Sequence, residues 1–187
     1  MALDDHIERV IFTEQQISER VSELGSEITR DCIGTPTVVV GVATGAILFL
    51  ADIVRNIPLP ITVEIIRVES YGSGTVSNGH PTISSDLKTD VQGCHVMLVE
   101  DIVDTGSTMS CLIEYMKSKG ASSVSVCTLL DKPARRKVHF KPVGEKGKYY
   151  CGFECPDEFV VGYGMDYAEV YRNLPYVGVL KPEIYKR

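Results

Sequence analysis

The chain has no excess of positive charge. Nineteen Lys and Arg stand against 25 Asp and Glu, a formal net charge of −6, and the isoelectric point lies near 5.2. General nucleic-acid binders and membrane-surface binders present a basic face, so neither kind of partner is expected. Long apolar runs are lacking too: residues 46–51 (AILFLA) form one of the longest, far short of the ~20 residues that a spanning helix needs. The opening MALDDHIERV has no apolar h-region and carries two early aspartates, which argues against a secretory signal or transit peptide there. Without such a signal, the six cysteines are expected as free thiols in a reducing compartment, and the protein as cytoplasmic. Cys151 and Cys155 have no second pair to complete a zinc site. None of the four histidines stands beside a nucleophile with a supporting acid, which leaves a hydrolase triad without basis. Internal repeats and low-complexity tracts are absent.

What is present suffices for one sizeable core, since 44% of 187 residues are apolar. Ile17, Val21, Leu24 and Ile28 recur at helical spacing within residues 12–30. Pro36 breaks the pattern, and residues 37–42 (TVVVGV) then read as a strand covered on both faces. Helical character over 45–57 and 109–119 alternates with strand-like runs at 61–68, 95–99 and 123–130. The second helix places Met109, Leu112, Ile113 and Met116 on one face and stops before Gly120. Such alternation predicts an α/β fold with a mainly parallel twisted sheet flanked by helices. The expected organisation is a single domain, with a core of about 36–140 and a small hood from about 1–35 and 141–187, the latter holding strand-like pieces at 148–153 and 159–163. Residues 71–87 lose periodicity and fill with Gly, Ser, Thr and Asn, as functional loops often do.

Chemistry concentrates in residues 96–108, VMLVEDIVDTGST. A buried strand delivers two adjacent carboxylates, Glu100 and Asp101, to its carboxyl end, where open α/β sheets place their ligands. The following turn, Asp104, Thr105, Gly106, Ser107 and Thr108, supplies backbone N–H groups, three hydroxyls, a glycine for close approach and a helix N-terminus. Those are the parts of a monophosphate cradle. Asp104 is a poor ligand for a phosphate dianion, so acid–base work on a neighbouring substrate suits it better. A single helix cap with solvated acids is the plainer alternative, and the strand and acid pair weigh against it.

The stretch VEDIVDTGST resembles the phosphoribosyl-pyrophosphate motif of type I phosphoribosyltransferases. IRVESYG (66–72), LLDKPARR (129–136) and PDEFVVGYGMDYAEVYRNLPYVG (156–178) narrow the resemblance to the hypoxanthine-guanine branch, over about 12–179. It implies transfer of the phosphoribosyl group from phosphoribosyl pyrophosphate to hypoxanthine or guanine, with Mg2+ as cofactor, in a homodimer or homotetramer. Alternatives that share the fold are a regulatory nucleotide-sensing protein and a xanthine-preferring enzyme.

Residue by residue, the resemblance implies that Glu100 and Asp101 hold the ribose hydroxyls and a magnesium ion. Residues Asp104, Thr105, Gly106, Ser107 and Thr108 receive the 5′-phosphate, and Asp104 serves as general base toward purine N7. Lys132 donates to the 6-oxo group, which disfavours adenine. Phe159 stacks on the purine, the Val160 backbone reads its edge, and Asp166, also on the purine side, binds a second magnesium through pyrophosphate. Arg172 meets pyrophosphate. In GVATG (41–45), Ala43, Thr44 and Gly45 match the family's pyrophosphate loop, whose cis peptide falls at Ala43-Thr44; mammalian members carry lysine where this chain has Thr44. Ser70 and Tyr71 begin a lid. Taken singly, Phe159 reads as core and Lys132 or Arg172 as solvated charge; order and spacing together overturn this. Arg135 matches a position near the site.

Overall fold

The computed structural model describes residues 2–70 and 81–186. In chain order its elements are β1 (Ile7–Phe12), α1 (Glu14–Cys32), β2 (Thr37–Ala43), α2 (Ile47–Arg55), β3 (Ile61–Ser70), β4 (Pro81–Ile83), β5 (His95–Val103), α3 (Ser107–Ser118), β6 (Ser123–Asp131), β7 (Tyr149–Glu154), β8 (Val160–Val161), β9 (Val177–Leu180) and α4 (Pro182–Tyr185). Thr13 and Gln16 form a reciprocal capping box that starts α1. The apolar stripe then buries Ile17, Val21, Leu24 and Ile28, as the helical spacing predicts.

Six strands form the main sheet in the order β4-β3-β2-β5-β6-β7. Its pairs are parallel except for the short β4 against β3. Alternate residues of β2 serve opposite cores: Val39 joins α1 and α2 on one face, and Val38, Val40 and Val42 join α3 on the other. That two-sided burial explains the continuous apolar reading of residues 37–42. The α/β architecture expected from the alternation is thus realised.

Several boundaries differ from the sequence reading. Residues 45 and 46 belong to the turn before α2, because Gly45 packs against an acid from β5. Strand β5 runs past Val99 to Val103; its pairing with β2 ends at Gly41 and Val99, while pairing with β6 continues to Val103 and Asp131. Glu100 and Asp101 therefore sit in a strand that is open on one flank. Strand β8 is two residues long, because Gly162, Tyr163 and Gly164 all take positive φ and turn the chain.

The hood boundaries also need correction. Tyr149–Glu154 is not in a hood but is the parallel edge strand of the main sheet, with Val126 opposite Tyr149. Helix α1 packs on the same sheet, and Arg20 donates to the Cys151 and Gly152 carbonyls at 2.8 and 3.0 Å. The second sheet, order β1-β9-β8, is antiparallel. It gathers residues from the two ends of the chain around Val161, Tyr171, Leu174 and Leu180. No described helix is long and apolar enough to cross a membrane.

Candidate active site at the carboxyl end of the sheet

Where β2 departs, β5 presents its acids. Glu100 is buried at 8% exposure, and burial, followed by the adjacent Asp101 carboxylate, pushes its pKa well above the ordinary carboxyl range. The Asp101 N–H donates to Glu100 Oε1 at 3.2 Å, and the Ile102 N–H to Asp101 Oδ1 at 2.8 Å. A Cβ on Gly45 would lie 2.0 Å from Asp101 Oδ2. The loop of Ala43, Thr44 and Gly45, with its cis Ala43-Thr44 peptide, therefore closes directly on the acid pair, and only glycine permits that approach.

A third segment joins from far along the chain. Gly164 has φ +100°, and a Cβ there would stand 2.1 Å from the Gly45 carbonyl oxygen. Arg172 Nη1 donates to Gly164 O at 2.7 Å, its Nη2 lies 3.2 Å from Asp166 Oδ1, and its buried Nε has no partner among the described residues. The Glu169 N–H donates to Asp166 Oδ2 at 2.9 Å. Both Asp166 oxygens are thus engaged by the loop's own donors. Tyr163, Ala168, Glu169 and Tyr171 have positive φ, a concentration of costly backbone that marks built sites.

Beside these, Gly106 at φ +88° turns the chain from β5 into α3. The N-cap, Gly106, has no side chain to cap this helix; the Ser107 N–H reaches Thr105 Oγ1 at 3.4 Å, and a helix N-terminus of this kind favours an anion. The N–H groups of Thr105 and Gly106 donate to no protein acceptor among the described residues. Thr105 Oγ1 and Ser107 Oγ lie 3.2 Å apart. A cavity of about 80 Å3 opens here, lined by Glu100, Asp104, Thr105, Gly106 and Thr108 among others. Asp104 Oδ1 is buried without a hydrogen-bond partner among the described residues, and Arg135 Nε stands 3.8 Å from it.

The fourth wall comes from β6 and β8. Lys132 follows β6 and is buried at 6% exposure. Its N–H donates to Val103 O at 2.9 Å, and its Nζ to Glu158 O at 2.7 Å. Next to Glu158, Phe159 is 36% exposed while Val160 is buried. The Phe159 ring stacks on Tyr185 with centroids 4.7 Å apart and meets Tyr167 edge-on. Neither plain reading holds here, since Lys132 is not solvated and Phe159 is not fully core.

Residues 10–168 match the family described as the phosphoribosyl transferase domain. The chain belongs to this family. It is 45% identical to the hypoxanthine-guanine phosphoribosyltransferase of Bacillus subtilis over 180 residues, 96% of this chain and 97% of that protein. Identity to the Staphylococcus aureus hypoxanthine-guanine phosphoribosyltransferase is 40% over 183 residues, 98% and 99% of the two chains. A crystal structure of a hypoxanthine phosphoribosyltransferase from Staphylococcus aureus superposes with TM-score 0.91 at 39% identity, covering 99% of this chain and 97% of that one. Relatives of this kind do not favour the regulatory or xanthine-preferring alternatives.

Against the family's pattern, the fold brings Ala43, Thr44, Gly45, Glu100, Asp101, Asp104 to Thr108, Lys132 and Phe159 to one end of the main sheet, with Val160 in β8 beside them. Asp166 and Arg172 join through Gly164. Ser70 ends β3, and Tyr71 lies outside the described residues. Among the described residues no three His, Cys, Asp or Glu gather as a metal cage. Glu100 and Asp101, hard oxygen donors on an open strand flank, fit a magnesium that shares its shell with substrate oxygens and water. Asp166 fits less well, because Arg172 and the Glu169 N–H hold its carboxylate. The sequence reading missed Gly164, Glu158, Tyr185 and Arg136. Of these, Gly164 shows in the sequence as a glycine inside GYGMDY, and Arg136 as part of the basic run Arg135, Arg136 and Lys137, which by itself reads as surface solubility.

Proposed function

We propose that the protein is a purine-salvage enzyme, transferring the 5-phosphoribosyl group of phosphoribosyl pyrophosphate to hypoxanthine or guanine. The products are IMP or GMP and pyrophosphate. The observation that carries this reading is the convergence of an anion-ready turn, an acid pair and a buried lysine at one end of the sheet, within a chain 45% identical to a hypoxanthine-guanine enzyme.

The turn from Asp104 to Thr108 receives the 5′-phosphate on its N–H groups, those of Thr105 and Gly106 first, and on its hydroxyls. Glu100 and Asp101 take the ribose hydroxyls. When bound there, magnesium supplies charge neutralisation for the departing pyrophosphate. The purine lies on Phe159, with Lys132 donating to its 6-oxo oxygen and the Val160 backbone at its edge. Lys132 releases the Glu158 carbonyl, or shares its three donors, to do so. Adenine presents an amino donor to this cation and is rejected. Purine N9 forms a bond to C1′ as the C1′–O bond to pyrophosphate breaks, and the N7 proton passes to the partnerless oxygen of Asp104. Ala43, Thr44, Gly45 and Arg172 face the pyrophosphate, and the unused Arg172 Nε suits one of its oxygens. A second magnesium at Asp166 belongs to the same reading and requires Arg172 to turn from the carboxylate toward pyrophosphate. The segment beginning at Ser70 and Tyr71 acts as the lid.

We further read the enzyme as a cytoplasmic homodimer or homotetramer. Ile47 and Leu48 on α2 and Val63 and Ile65 on β3 are large apolar residues with 38–49% exposure, and exposed apolar groups of this kind suit subunit contact.

Spectrophotometric turnover with phosphoribosyl pyrophosphate and magnesium, offering hypoxanthine, guanine, xanthine and adenine in parallel, tests the proposal. Turnover of hypoxanthine or guanine that a chelator abolishes and adenine does not elicit is expected. Nucleotide binding without turnover of any base would overturn it.

A further inference from the structure

Behind the phosphate turn runs a basic strap, residues 135–138, that the reaction above does not use. The N–H groups of Lys137 and Val138 both donate to Thr105 O at 2.9 Å. Arg136 adds a side chain: its Nε donates to Asp104 O at 3.3 Å, and its Nη2 is hydrogen-bonded to the Asp131 carboxylate. The guanidinium also lies over the Phe140 ring, 5.3 Å from its centroid. The Arg136 and Asp131 side chains are 16% and 20% exposed, so this is an internal brace. Asp131 ends β6 and precedes Lys132, whose N–H holds Val103 O.

The peptide plane gives these contacts a direction. In a trans peptide the C=O of one residue and the N–H of the next point oppositely. Drawing the Asp104 and Thr105 carbonyls toward the strap therefore aims the Thr105 and Gly106 N–H groups away from it. Neither of these donors has a protein acceptor among the described residues.

We propose that Arg136 is a positioning residue: anchored on Asp131, it grips the Asp104 carbonyl, orients the turn's N–H groups toward a 5′-phosphate, and joins that turn to the strand leading to Lys132. The proposal rests on reading residues 104–108 as the phosphate site.

Calorimetric titration of GMP and guanosine into the wild-type protein, Arg136→Met and Arg136→Lys tests it. A hydrogen bond from a charged group corresponds to on the order of tenfold or more in affinity. Arg136→Met should weaken GMP by that factor and leave guanosine unchanged. Arg136→Lys, a point cation without the planar fork, should recover only part of the loss. Asp131→Asn should weaken GMP in the same direction, and should carry the test together with Arg136→Lys if the Met variant does not fold. Parallel losses of GMP and guanosine, or unchanged GMP affinity, would overturn the role of Arg136. Wild-type protein that binds GMP no better than guanosine would instead overturn the phosphate reading, and the proposal with it.

Discussion

Two regions of the site reach their geometry by opposite routes. The β5–turn–α3 segment is continuous, and regular elements hold its functional groups: a parallel strand aims Glu100 and Asp101, and one glycine at positive φ starts a helix. The 162–172 loop has no regular structure of its own. Positive φ values at six positions, counting Gly162 and Gly164, and contacts to Gly45 more than a hundred residues away hold it in place. In the first region, chemistry follows from local order. In the second, local order follows from what the loop must touch.

The largest expected effect tests the local region. Asp104→Asn keeps the turn's backbone and removes the proton acceptor, so turnover should fall roughly 10²- to 10⁴-fold. Affinity for phosphoribosyl pyrophosphate should be retained, and unaltered turnover would remove Asp104 from the base role. Next comes stability against pH, which separates the two ends of β5. His95, at its start, is 1% exposed and hydrogen-bonded to Ser123 at 2.6 Å. Burial, with Lys146 contributing, lowers its pKa from 6.5 to about 4. Because the folded state resists protonation, stability is present above pH 6.5 and is lost as pH falls toward 4, by up to about 3 kcal/mol. Urea midpoints at pH 7.5 and 5.0 should show this, and His95→Gln should flatten the difference.

The long-range region is broken by Gly164→Ala. The variant must both adopt φ +100° and clear the Gly45 carbonyl, so a stability loss of about 2 kcal/mol is expected. Its KM for phosphoribosyl pyrophosphate should rise, although residue 164 lies far along the chain from the turn of residues 104–108. An unchanged KM would mean that the loop and the Gly45 turn are not mechanically joined. The smallest effect expected is in base choice. Lys132→Gln should narrow the preference for hypoxanthine over adenine by roughly tenfold, read from kcat/KM with each base; an unchanged ratio would move the 6-oxo contact elsewhere.

Legibility in the sequence followed the same division. The helix carrying Ile17 to Ile28, the strand at 37–42 and the acid pair were readable because side-chain periodicity and strand-to-helix order are local properties. Assigning Tyr149–Glu154 to a hood failed because nothing in YYCGFE says which edge the strand will pair with. That choice is made by the open flank of β6. Helix α2 begins two residues later than the apolar spacing indicates: the low helix propensity of Gly45 is a weak local signal, and the approach to Asp101 that holds it in the turn is not visible in the sequence.

By itself, the sequence determined the α/β class, the strand that delivers Glu100 and Asp101, the turn that follows it and, through its resemblance, the family and its reaction. Those features depend on residue order within a few turns of chain. Only the tertiary structure decided that Gly164 closes on Gly45, that Arg172 holds Asp166, that Lys132 is buried on a carbonyl, and that Arg136 bonds the Asp104 carbonyl. Each of these joins groups distant in sequence or folded back on one another, and such contacts exist only once the sheet has brought them together.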